Sequence, residues 1–154
     1  MQFSVGCEYA IHGLLYLALQ PADEVVLVTD IATAQHLPVS YLAKVFQYLA
    51  KAGLVKSFRG ARGGYMLAQP PEKITLRQIT QAIEGASPIY SSLSSRRECA
   101  LEADCLIREA FSKAEESLYH ELEKVTLQEM VERARRLRSR MKWLQVPDAP
   151  LISS

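Results

Sequence analysis

No stretch of this 154-residue sequence is apolar for long enough to cross a bilayer. Its first residues also lack the charged start, apolar run and cleavage site of a secreted protein, so a cytoplasmic protein with no membrane partner is expected. Cysteine is scarce: three residues, an odd number, do not make a disulfide framework. No nucleophile–base–orienter set stands out. The one glycine-rich turn, residues 60–64, lies between strand-like runs rather than before a helix, so it is no phosphate-binding loop. An enzyme is therefore not expected. Positive charge is missing from residues 1–37, which hold four acids and no Lys or Arg. Residues 38–77 hold seven basic residues (Lys44, Lys51, Lys56, Arg59, Arg62, Lys73 and Arg77) against one acid, Glu72. The remaining residues hold eleven against twelve, so a net charge of +1 conceals one basic segment. Such a concentration is the electrostatic footprint of a phosphate backbone.

What the basic segment contains is more informative than its charge. Over residues 38–53, Leu42, Val45, Phe46, Leu49 and Ala50 form a helical apolar stripe. Pro38 stands before it and Gly53 after it, a normal pair of start and stop signals. The opposite face carries Ser40, Tyr41, Lys44, Gln47 and Lys51, with no carboxylate among them. Residues 54–69 alternate as two short strands around a turn with three glycines and two arginines, Arg59 and Arg62 at its tip. Upstream, residues 28–37 read as a shorter helix with Thr29 or Asp30 as N-cap. Helix, tight turn, helix and hairpin is the order of a winged helix-turn-helix.

The rest of the chain frames that unit. Residues 4–19 predict a first helix with a broad apolar surface interrupted by Cys7, Glu8 and His12. Glu8 and His12 are four apart and share a face, which alone means a local hydrogen bond or two surface side chains. Cys7 points about 100° away and reads as core. Residues 25–28 are β-like and could add a third strand beside the wing. Thr75 and Gln78 form a capping-box pattern opening a helix that ends at Gly85, and Thr126 with Glu129 repeats that pattern before a basic last helix. Between them lie a serine-rich loop, Cys99, Cys105 and a long helical pattern to Lys124. That helix is more apolar than a small domain needs, which predicts a homodimer interface with Leu118, Leu122 and Val125 as candidates. The fold class is thus mainly α: a winged helix-turn-helix domain over residues 1–85, a cysteine-containing loop over 86–105, dimerisation helices over 106–146 and a disordered tail over 147–154.

Several stretches together resemble the IscR-type family of winged-helix transcriptional regulators. They are the start MQFSVGCEYAIHGLLYLAL, the run VSYLAKVFQYLAKAGLV, the wing RGARGGYMLA, the helix ITLRQITQAIEG, the cysteine loop and VTLQEMV. The resemblance covers nearly the whole chain. It implies a dimer on palindromic operator DNA, with Ser40, Tyr41 and Lys44 of the recognition helix and Arg59 and Arg62 of the wing as contacts. It also implies that the cysteine loop is a sensor holding an iron–sulfur cluster, although some members carry none.

The chain departs from the family's usual three-cysteine spacing. The loop holds only Cys99 and Cys105; the missing cysteine would fall near Leu93, and Arg108 stands where some members have a histidine. Two thiolates do not complete a cluster. The resemblance implies how the set could be filled: Glu8 and His12 stand where members with fewer cysteines draw a carboxylate and an imidazole from the partner subunit. The expected site is then a 2Fe–2S cluster held by Cys99 and Cys105 of one subunit with Glu8 and His12 of the other. The alternative is a cluster-free repressor controlled by thiol oxidation, a small ligand or a protein partner.

Overall fold

The computed structural model describes residues 2–89 and 105–137. Cys99, the surrounding loop, the basic residues beyond 137 and the tail therefore lie outside the described residues. Six helices and one hairpin are described: α1 (Val5–Leu19), α2 (Val28–Gln35), α3 (Val39–Lys51), β1 (Val55–Phe58), β2 (Gly64–Leu67), α4 (Leu76–Glu84), α5 (Leu106–Glu123) and α6 (Leu127–Arg136). A 3-10 turn at Pro71–Lys73 separates β2 from α4. The strands pair antiparallel, Val55 opposite Leu67 and Phe58 opposite Gly64. The expected mainly helical fold with a small hairpin wing is the observed one.

Hydrophobic burial explains the assembly. Helix α1 is apolar on most of its surface and packs against α3, α4 and α6. Leu14, Ile31, Leu42, Phe46, Leu49, Leu54, Ile74 and Ile79 are fully buried around it. Each such side chain contributes about 1.5–3 kcal/mol by leaving water. At Gly13 an added Cβ would lie 2.7 Å from the Phe46 ring, so that ring packs directly on the α1 backbone and any side chain there would displace it.

The start of α2 differs from expectation. Its N-cap is Leu27, with no side-chain cap bond, rather than Thr29 or Asp30. The cause is tertiary. Val26 exchanges two backbone hydrogen bonds with Tyr65 of the wing, at 2.9 and 2.8 Å, and this bridge fixes the chain direction so that the helix begins at once. The third strand expected over residues 25–28 is reduced to that bridge. Helix α2 ends at His36 in the left-handed region, φ 55°, which turns the chain into α3.

Both capping boxes form. Thr75 Oγ1 accepts from the Gln78 amide at 3.3 Å, and Thr126 Oγ1 from the Glu129 amide at 3.2 Å. The two caps also pair with each other. The Leu76 amide donates to the Val125 carbonyl at 2.9 Å, and the Leu127 amide to the Ile74 carbonyl at 2.7 Å. This clamp sets α6 beside α1, with Leu127, Val131 and Ala134 in the core of the winged unit. Helix α5 is different: none of its 18 residues is buried. It lies on α4, where Arg77 sits over the Tyr119 ring at 5.5 Å and 3.7 Å from the Glu123 carboxylate. Arg77, counted with the basic segment in the sequence, is thus engaged with α5.

Candidate nucleic-acid interface and ligand site

The recognition surface is built on α3 because its apolar stripe is fully used inside. Leu42, Val45, Phe46 and Leu49 are buried, which turns Ser40, Tyr41, Lys44, Gln47 and Lys51 outward, all exposed. Arg59 and Arg62 are exposed on the wing. A cleft of about 390 Å³ joins the two parts; Thr29 of α2, Gln47 of α3 and Ser57 and Arg59 of the wing share its walls. Thr29 and Gln47 were absent from the contacts that the resemblance implied. The signal available in the sequence was the exposed amide of Gln47 on the acid-free face; Thr29 is placed there by tertiary contacts, the Val26–Tyr65 bridge and the packing of α2 on α3.

Tyr41 is not a free surface side chain. Its ring meets Tyr9 of α1 edge-on, centroids 5.6 Å apart and planes at 87°. Its hydroxyl lies 3.2 Å from where a Cβ on Gly6 would be. The first helix therefore touches the start of the recognition helix directly.

The same helix carries Glu8 and His12. Both line a cavity of about 540 Å³ whose other walls include Cys7, Leu76 and Thr80 of α4 and Leu122 of α5. Burial lowers the His12 pKa, and the nearby Glu8 carboxylate opposes that by favouring the imidazolium. The lowered pKa favours the neutral imidazole, the form that can ligate a metal. Cys7 is buried, 3% exposed. Burial, and secondarily the Glu84 carboxylate, pushes its thiol up to about 11. Its thiolate fraction at neutral pH is then on the order of one in ten thousand. On brief iodoacetamide treatment of the metal-free protein, mass mapping should find Cys7 unmodified while Cys105 reacts; equal labelling would contradict the burial.

Cys105 is the N-cap of α5 and half-buried. Leu122, at the Glu8–His12 cavity, lies near the other end of that helix, about 25 Å away along its axis. One chain therefore does not bring Cys105 to Glu8 and His12. Among the described residues no group of three or more His, Cys, Asp or Glu could hold a metal ion. The donor types suit a mixed iron site, and among the described residues Cys105 does not join Glu8 and His12 within one chain. On α5, Leu106 (75% exposed), Ile107 (54%) and Phe111 (44%) face outward. Leu118, Leu122 and Val125, the expected interface candidates, are half-buried.

The sequence model of the Rrf2 family, described as an iron-dependent transcriptional regulator, matches residues 3–133. The HTH-type transcriptional regulator NsrR of Halalkalibacterium halodurans is 29% identical over 143 residues, 92% of this chain and 98% of that protein. A Synechocystis sp. protein named for an HTH-type transcriptional regulator is 44% identical over 84 residues, 54% of this chain; the match spans 57% of that relative's length. Among solved structures, T. potens IscR superposes with a TM-score of 0.67 at 29% identity, covering 90% of this chain and 91% of that one. CymR, the global cysteine regulator of B. subtilis, gives 0.62 at 28%, covering 86% and 97%.

Proposed function

We propose, from the premise that this chain belongs to the Rrf2 family of transcriptional regulators, that it acts as a two-fold dimer on palindromic operator DNA and reports redox or iron–sulfur status to it. The observation that carries this reading is the double role of α1. One face lines the cavity with Glu8 and His12, and Tyr9 on the same helix presses on Tyr41 of the recognition helix. A change of ligation at the first face would move the second.

Cys99 and Cys105 of one subunit, with Glu8 and His12 of the partner subunit, would hold a 2Fe–2S cluster; a carboxylate and an imidazole beside two thiolates complete four ligands. When bound, such a cluster supplies one-electron redox chemistry. The chain's own part is to keep His12 neutral, to hold Glu8 one turn away, and to transmit their position through α1. The exposed apolar start of α5 supplies a surface for the second copy. Ser40, Tyr41 and Lys44 enter the major groove, and Arg59 and Arg62 neutralise backbone phosphates.

Anaerobic purification tests the sensor. A coloured protein with near-equal iron and acid-labile sulfide supports it. A colourless protein that binds operator selects the second reading, a cluster-free repressor with Cys99 and Cys105 as switching thiols, which the reduced cysteine set favours. Arg59→Ala tests the interface: operator affinity should fall about five- to tenfold, with the salt slope reduced by about one. Unchanged affinity at matched salt removes Arg59 from the interface.

A further inference from the structure

A second cavity lies on the other side of α1. It has a volume of about 410 Å³, within the range of small-molecule sites, and is bounded by the start of α1, one face of α3 and the end of α4. Lys44 of α3 and Glu84 of α4 both line it, yet the two charges do not pair. Among the described residues Lys44 makes no ion pair at all. One Glu84 oxygen accepts from the Ser4 amide at 2.8 Å and the Ser4 hydroxyl at 2.7 Å. The other has no hydrogen-bond partner among the described residues. Tyr41 and Tyr48, seven apart on α3, flank the opening, and Val45, Ala82 and Ile83 supply apolar wall.

Lys44 and Glu84 are exposed and unpaired with each other, so a ligand carrying both charges can replace the water on each. We propose that this cavity is a binding site for a small zwitterion of the free α-amino acid class, its carboxylate on Lys44, its ammonium on the open oxygen of Glu84 and its side chain between the tyrosine rings. Each contact is a charge-assisted hydrogen bond, and the rings add apolar and cation–π surface. A neutral ligand would displace water from both charges without replacing it, and a simple anion would face Glu84.

The site shares Tyr41 and Lys44 with the surface that reads DNA, so ligand and operator compete, and by linkage each weakens the other equally. That consequence rests on the operator reading; ligand binding itself does not. The two are separated by measuring ligand binding calorimetrically on the full chain without DNA, using the twenty free L-amino acids. Each binder is then repeated as its N-acetyl and its carboxamide derivative. At least one free amino acid should bind, and blocking either end should weaken it about tenfold or more. Glu84→Gln keeps an oxygen for Ser4 and removes only the charge, so it should lose affinity similarly with an unchanged circular dichroism spectrum. Ala82→Leu fills the cavity without touching a charge and should abolish binding; it decides the matter if the Gln variant fails to fold. No binding by any amino acid, equal binding of the blocked derivatives, or an Ala82→Leu chain that binds normally overturns the proposal. An amino acid that binds but leaves operator affinity unchanged overturns the competition. A chain that binds the amino acid and no operator overturns α3 as the DNA reader and leaves the cavity standing.

Discussion

Gly64→Ala is expected to be among the most damaging single-methyl additions to this chain. Gly64 sits at φ +147°, and an added Cβ would lie 2.4 Å from the Val26 carbonyl oxygen and 2.8 Å from its carbon. Both are backbone atoms, so no side chain can swing aside. Relief requires breaking the Val26–Tyr65 bridge, whose two hydrogen bonds are worth about 1 kcal/mol each, on top of about 1–3 kcal/mol for the backbone conformation. The expected loss is roughly 3–5 kcal/mol, a large part of the stability of an ordinary domain. The melting temperature should fall by about 10 °C, and operator affinity should fall with it because the bridge seats the wing. Gly60→Ala is the control. Gly60 also has a positive φ, +99°, but nothing stands within 4 Å of its added Cβ, so only the conformational cost remains. Equal melting temperatures for the two variants would show that the bridge does not anchor the wing.

The second large effect separates ligation within a chain from ligation between chains. Cys99→Ala/Cys105→Ala and Glu8→Ala/His12→Ala are each expected to purify as colourless dimers. A heterodimer of the two, isolated through different tags, should regain about half of the wild-type iron and sulfide, because one of its two symmetry-related sites is intact. Ligation within one chain predicts none, since each chain then lacks half of its own set. The helical rise of α5, which sets Cys105 about 25 Å along the axis from Leu122 at the cavity, is the reason to expect recovery. Full iron in the Glu8→Ala/His12→Ala homodimer would remove those two residues from the site altogether.

What the sequence determined by itself was local. The acid-free face of α3, the stop at Gly53, the glycine-rich tip of the wing and the two capping boxes each depend on residues within about one helical turn or one strand reversal, so side-chain type and spacing suffice to read them. The i, i+4 placement of Glu8 and His12 on one face of α1 was legible for the same reason. The tertiary structure decided which elements meet. It paired the Thr75 and Thr126 caps and so drew α6 into the core. It engaged Arg77 with Tyr119 and Glu123, started α2 at Val28, and left α5 without one buried residue. It also put Cys7 under enough apolar cover to suppress its ionisation, and set Lys44 and Glu84 across one cavity. These contacts join residues forty or more positions apart in several cases, and their formation depends on how the whole chain closes around α1. Hydrophobic burial drives that closure and is non-directional, so a pattern of apolar residues states that a face will be covered and leaves to the folded chain what covers it.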